Sequence, residues 1–324
     1  MSAAPILEVN DLRTHFVTRR GIGRAVDGVS FTLAAGETLG LVGESGSGKS
    51  VACLSVIRLN PRPASRIVGG QVLFRGEDLL RKSEREMRRY RGRHIAMVLQ
   101  DPMTALNPVF TIGNQLFEPL TLHQRLRGSR LRARAIEVMR LVRIPAPESR
   151  LRSYPHEFSG GMRQRTVGAI ALSCQPEVLI ADEPTTALDA TIQAAYLDLL
   201  REIQRQTGLA ILFVTHDLGI VAQMCDRVAV MYAGKIVETA DTRRLFAAPA
   251  HPYTEALLRS VPDVQEDVGR LYSIEGQPPS IYDLGAGCPF APRCPVVEAR
   301  CREAFPPERA LEPAHAVSCW RHIP

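Results

Sequence analysis

The chain has 324 residues, 45% of them hydrophobic, 23% charged and 6% aromatic; this composition can fill a large core and excludes bulk disorder. A formal net charge of +6 and a pI near 9.1 do not by themselves mark a nucleic-acid binder. Much of the excess is arginine in two stretches, 81–93 and 125–152, and the second carries aliphatic residues at helix-like intervals, as a solvated or subunit-facing helix does.

Taken in chain order, residues 6–16 and 25–33 read as strands, the second ending in the turn 34–37. Residues 38–42 form a short apolar run that enters a glycine-rich loop, and helix-like sequence follows from Lys49. A strand, a glycine loop and a helix in that order open an α/β nucleotide-binding fold. Residues 94–99 are strand-like and end at Gln100. Between about 101 and 176 the pattern turns to Arg-rich helical stretches punctuated by Pro108, Pro119, Pro145 and Pro155, which predicts a helical subdomain inserted in the sheet domain. Two further buried-type strands, 178–181 and 210–215, end in polar residues, at the carboxyl edge where open α/β sheets bind ligands. Beyond about 235 the alternation stops, and 262–324 is a loop-rich tail heavy in proline and glycine. No run approaches the ~18–20 apolar residues of a membrane span. The start lacks a basic region followed by an apolar one, so the expectation is a cytosolic chain whose membrane spans, if it needs any, come from other polypeptides.

Gly43-Glu44-Ser45-Gly46-Ser47-Gly48-Lys49-Ser50 fits GxxxxGK[ST] in full. Glycines let successive backbone N–H groups curl round a phosphate at a helix N-terminus, the lysine reaches the β- and γ-phosphates, and the serine hydroxyl ligates Mg²⁺. The expected ATP contacts run from Gly43 through Val51. Downstream, the apolar strand before Asp182-Glu183 delivers one carboxylate, Asp182, to Mg²⁺ and a second, Glu183, to polarise the attacking water. An adjacent Asp-Glu pair is common on surfaces; at the end of a buried strand after a phosphate loop it carries weight.

Phe158-Ser159-Gly160-Gly161-Met162-Arg163-Gln164-Arg165 resembles the signature motif of ABC ATPases. The resemblance implies that Ser159, Gly160, Gly161 and Met162 bind the γ-phosphate held by the opposite subunit. Met162, where glutamine is frequent in the superfamily, resembles the peptide-importer branch. Gln100 resembles the Q-loop glutamine that touches Mg²⁺ or water, Ala187-Leu188-Asp189 the D-loop, and His216 the switch histidine. With Lys49 and Glu183, Gln100 and His216 make the implied catalytic set; Ser50, Gln100 and Asp182 are the implied Mg²⁺ ligands. Phe16 is a candidate to stack on adenine, although an aromatic in an early strand is more often core. These elements cover about residues 6–240. The fold they imply is an α/β P-loop ATPase domain, 1–250, with a helical subdomain at about 101–176 and an extension at 251–324.

Three of the seven cysteines, Cys53, Cys174 and Cys225, sit in apolar or helical contexts and read as small core residues. Cys288, Cys294, Cys301 and Cys319 are spaced C-x5-C-x6-C-x17-C, which is not a zinc-ribbon pattern. A tetrathiolate metal site would supply folding energy that a small tail lacks. The Cys288-to-Cys294 segment resembles the C-terminal extension of oligopeptide and dipeptide importer ATPases, as does His251-Pro252-Tyr253-Thr254. That resemblance implies a [4Fe–4S] cluster, with zinc and then free thiols as the alternatives. HPYT alone is also an ordinary helix start with proline near the first position.

The family resemblance implies an ATP-hydrolysing subunit at the cytoplasmic face of the cell membrane. Its partners would be a second ABC ATPase, usually a different homologous chain, two membrane permeases and an extracytoplasmic binding protein, with no nucleic acid. A small solute such as nickel is the alternative cargo. A soluble ABC ATPase acting on nucleic acid is the alternative from another class. Its only support is the basic pI, and the chain has one ATPase unit and no heptad insertion.

Overall fold

The computed structural model describes residues 4–100, 102–186, 188–261 and 272–323. The strands and helices are β1 (Pro5–Thr18), β2 (Gly21–Ala34), β3 (Thr38–Val42), α1 (Lys49–Val56), β4 (Ser65–Phe74), β5 (Glu77–Asp78), α2 (Glu84–Tyr90), β6 (Ile95–Val98), α3 (Pro102–Ala105), α4 (Ile112–Gln124), α5 (Gly128–Leu141), α6 (Pro147–Arg150) and α7 (Gly160–Leu172). They continue as β7 (Val178–Asp182), α8 (Ala190–Thr207), β8 (Ala210–Thr215), α9 (Leu218–Met224), β9 (Arg227–Tyr232), β10 (Lys235–Asp241), α10 (Thr242–Ala247), α11 (Pro252–Arg259), α12 (Ala299–Glu303), β11 (Arg309–Glu312) and β12 (His315–Val317). The chain divides into two compact units, one of residues 1–6, 33–37 and 81–213, the other of 7–32, 38–80 and 214–324.

The first unit carries the parallel pair β6 and β7, in register from Ile95 opposite Val178 to Val98 opposite Ala181. All five residues of β7 are buried, which is why this strand reads as a continuous apolar run rather than an alternating one. Helices α3 to α7 fill the stretch expected to be helical. Their boundaries follow local chemistry. Thr111 caps α4 by accepting from Asn114 N–H at 3.2 Å, and Ser159 caps α7 by accepting from Met162 N–H at 3.4 Å. Asp189 caps α8 through Ile192 N–H at 3.0 Å, and Gly208 ends that helix at φ +70°, the left-handed closure glycine takes without steric cost. Leu116 and Leu120 of α4, Val138 and Met139 of α5 and Val167 of α7 are buried, at roughly 1.5–3 kcal/mol per large side chain removed from water.

The second unit holds an antiparallel sheet ordered β2-β1-β4-β5 and a run of strands ordered β11-β12-β10-β9-β3. Strand β3 pairs parallel with β9, from Leu39 opposite Arg227 to Val42 opposite Val230. The β10 to β12 pairing is antiparallel, with Glu238 opposite Val317. The tail therefore contributes two strands to what reads in the sequence as a loop-rich segment. Short β11 and β12 carry too little alternation to register as strands on their own.

Candidate functional site

The phosphate loop lies in the second unit, between β3 and α1. Gly43 has φ +152° and Gly48 φ +104°. A Cβ on Gly43 would meet Met231 O at 2.1 Å, and one on Gly48 would meet Ala25 O at 2.2 Å. Both positions therefore exclude every other residue, by backbone conformation and by space. Lys49 is 5% exposed, and its Nζ donates to Gly43 O at 2.7 Å, Glu44 O at 3.0 Å and Ser47 Oγ at 3.4 Å. The loop's own carbonyls thus hold the ammonium at the start of α1. Ser45 and Gly46 are exposed, Ser47 is buried, and Ser50 and Val51 are half-buried. Phe16 is half-buried on β1 opposite Ser65. His216 is exposed, one residue beyond β8; the adjacent Asp217 caps α9 through Gly219 N–H at 2.8 Å.

The first unit gathers the carboxylates and the signature. Asp182 is the last residue of β7 and is buried. Glu183 follows at φ +46°, a left-handed conformation that a residue with a side chain adopts only at a cost. Its Oε2 accepts from Gln100 Nε2 at 3.1 Å and from Thr186 Oγ1 at 3.0 Å. The structure therefore joins two residues that lie 83 apart in sequence. Ser159 and Gly160 are exposed at the N-terminus of α7, while Gly161 and Met162 are half-buried. A Cβ on Gly161 would meet Ile192 Cγ2 at 2.7 Å, so this glycine lets α7 approach α8. Behind them Gln164 Nε2 donates to Pro184 O at 2.5 Å, tying the signature helix to the segment after Glu183. Burial pushes the phenol of Tyr196 up to about 12, partly offset by its bond with Gln164. Of the D-loop triplet, Ala187 lies outside the described residues; Leu188 is half-buried and Asp189 is exposed.

A set of residues that the sequence reading did not single out surrounds Glu44. Arg293 donates to Glu44 from both terminal nitrogens, at 2.7 and 3.1 Å. Glu44 N–H donates to Tyr253 Oη at 2.8 Å. Tyr232, Tyr253 and Phe290 pack as an aromatic cluster with centroids 4.5–5.4 Å apart, in tilted and edge-on geometries that favour aromatic pairs. The only advance signal was that Tyr253 and Arg293 belong to the two stretches resembling the importer extension.

Two family models match the chain: the ABC transporter family over residues 26–186 and the oligopeptide/dipeptide transporter C-terminal region over 237–301. A probable peptide ABC transporter ATP-binding protein of Sinorhizobium fredii is 52% identical over 98% of this chain and 95% of its own length. The chain belongs to the ABC transporter ATP-binding proteins. A dipeptide transport ATP-binding protein of Bacillus subtilis is 49% identical over 97% of the chain and 94% of its own length. An ATP-binding cassette solved as a dimer in a post-hydrolysis state with ADP and Pi aligns at a TM-score of 0.66 and 25% identity. That alignment covers 73% of this chain and 99% of the cassette. This ABC protein is accordingly an ATP-binding, ATP-hydrolysing transporter subunit, and no helix among its described residues is long and apolar enough to cross a membrane.

The iron–sulfur expectation is corrected. Among the described residues no group of three or more His, Cys, Asp or Glu is arranged to hold a metal ion, so neither the [4Fe–4S] cluster nor zinc stands. Cys288, Cys294, Cys301 and Cys319 are free thiols that line one small cavity with Phe290, Val296, Pro306 and Trp320. Burial raises the Cys288 pKa to about 11 and also raises those of Cys294 and Cys319. Burial thus disfavours the thiolate of Cys288, Cys294 and Cys319, the form in which thiols bind metals. The tail is ordered by other means. Glu238, fully buried, accepts from Ala250 N–H and His251 N–H at 2.8 Å each and pairs with His315 Nε2 at 2.9 Å. Cys288 N–H donates to Cys301 O at 2.8 Å, and Val317 and Cys319 pack on Ala250 and Leu311. The four-cysteine tail and its resemblance to the importer extension carried the metal expectation, and the described residues do not form such a group.

Proposed function

We propose that this chain energises import of oligopeptides or dipeptides, as the peripheral ATPase at the cytoplasmic face of a membrane complex. The observation that carries the reading is the presence, in one chain, of a complete phosphate loop and the importer-type C-terminal region. Its close relatives are named as peptide or dipeptide transport proteins, which supports the same cargo here. Residues 1–250 act as the ATPase domain and 251–324 as its extension. Two permease subunits, an extracytoplasmic binding protein and a second, homologous ATPase complete the complex.

The loop from Gly43 to Val51 binds the nucleotide phosphates, and Phe16 supports adenine. Ser50, Gln100 and Asp182 offer a hydroxyl, an amide carbonyl and a carboxylate, the hard oxygen donors that suit Mg²⁺. When bound, the ion supplies charge neutralisation for phosphoryl transfer. Gln100 gives its amide N–H to Glu183 and so keeps its carbonyl oxygen for that task. Glu183 takes a proton from the attacking water, oriented by Gln100 and Thr186. His216 holds the γ-phosphate. Ser159, Gly160, Gly161 and Met162, at a helix N-terminus, serve the nucleotide of the opposite subunit, with Asp189 beside them in the D-loop.

The test is ATP turnover by the complete complex in vesicles, with binding protein loaded with di- or oligopeptides, with nickel, or left unloaded. Stimulation by peptide alone is expected. Stimulation by nickel alone would replace the cargo, and stimulation by RNA or DNA would replace the reading.

A further inference from the structure

The second residue of the phosphate loop is acidic. A carboxylate among groups that gather phosphates is electrostatically adverse, because Glu44 and a triphosphate repel each other. The adverse charge is answered from the tail. Arg293 is only 4% exposed in its side chain and meets Glu44 in a two-pronged ion pair. The guanidinium is aimed by three further bonds: to Tyr232 Oη at 3.1 Å, Glu275 O at 2.9 Å and Ile274 O at 3.2 Å. Burial opposes its charge, but the bonds to Glu44 and Tyr232 outweigh burial and raise its pKa. Tyr253, fully buried, takes the Glu44 N–H.

The other end of Glu44 faces into the loop. Its carbonyl accepts from Lys49 Nζ at 3.0 Å and from Ser47 N–H at 3.2 Å. One residue therefore links the tail to the lysine that starts α1, through a carboxylate on one side and a carbonyl on the other. A fork-shaped cation suits this place, since a lysine ammonium offers no matching pair of parallel donors.

We propose that Arg293 and Tyr253 of the C-terminal extension brace the phosphate loop, and that Arg293 is a positioning residue that neutralises Glu44 and so raises affinity for nucleotide. The inference rests on the reading of this loop as the ATP site. It gives the extension a task in the ATPase cycle, carried out by its arginine and tyrosine.

The experiment titrates the intact chain with a fluorescent ATP analogue and Mg²⁺, for the wild type, Arg293→Met, Glu44→Gln, the double variant and Arg293→Lys. Binding by the wild type checks the ATP reading itself. In Arg293→Met the Kd is expected to rise about tenfold, the effect of one unpaired charge near the phosphates. Removing that charge in the Glu44→Gln, Arg293→Met double variant is expected to recover most of the loss. Arg293→Lys should recover part of it. Turnover at saturating ATP should change far less than KM. An unchanged Kd in folded Arg293→Met, or a double variant no better than the single, overturns the proposal. If Arg293→Met does not fold, Tyr253→Phe, which keeps the ring in its cluster and removes the acceptor for Glu44 N–H, takes its place. A rise in its Kd is expected, and an unchanged Kd overturns the brace.

Discussion

Glu183 is the residue to which the proposed mechanism assigns proton transfer. It sits at φ +46°, which costs about 1–2 kcal/mol for a side-chain-bearing residue. Its carboxylate is held by Gln100 and Thr186. A residue chosen for stability would be Gly or Asn here. Glutamine at this position is nearly isosteric and keeps an acceptor for both donors, but cannot take a proton. In Glu183→Gln, ATP affinity should stay within about threefold while turnover falls at least about 100-fold, the usual contribution of a general base. Single-turnover hydrolysis and nucleotide titration on the same preparation check this; normal turnover would remove Glu183 from the base role.

At the scale of elements, the start of α11 shows one local motif doing two things. His251 Nδ1 accepts from Tyr253 N–H at 3.0 Å, and Pro252 occupies the first turn. The bland reading of HPYT as a helix start is therefore right, and the same turn also brings Tyr253 to the phosphate loop. Burial, helped by His322 and Arg321, lowers the His251 pKa to about 3, so the ring is neutral and free to accept. The unfolded chain takes up a proton near pH 6.5. Between about pH 6.5 and 3 the unfolded state binds more protons, so stability falls as pH falls through that window, by at most about 1.4 kcal/mol per unit. Stability is unaffected by this group above the window. Urea melts at pH 7 and pH 5 should show the loss, and His251→Asn, which can still cap, should flatten that part of the profile. An equal pH slope in the variant would assign the acid sensitivity to other groups.

Across the whole molecule, what the sequence made legible was what local chemistry writes. The phosphate loop, the apolar run of β7 and the signature with its Ser159 cap each announce themselves within about a dozen residues, and the helical stretch from α3 to α7 shows in its run of Arg-rich, proline-punctuated segments. The brace on Glu44 does not, because Arg293 is 249 residues away and only folding makes them neighbours. The cysteine tail misled for the converse reason: four cysteines and a family resemblance, both read in one dimension, implied a metal group that the described residues do not form. Pairing of two ATPase subunits tests what remains outside a single chain. Ser159 and Gly160 are exposed at the head of α7. If they serve the partner's nucleotide, Ser159→Arg should leave the variant's own ATP affinity within about twofold, yet cut turnover at least about 100-fold, as loss of preorganised donors does. Mixing Ser159→Arg with a Lys49→Ala chain that keeps its signature distinguishes the pairings. If two copies of this chain pair head to tail, the mixture rebuilds one intact composite site and regains part of the turnover. If the working partner is a different homologous chain, the mixture stays inactive and turnover returns only when that partner is supplied. A Ser159→Arg chain that loses its own ATP binding would place the signature in its own site instead.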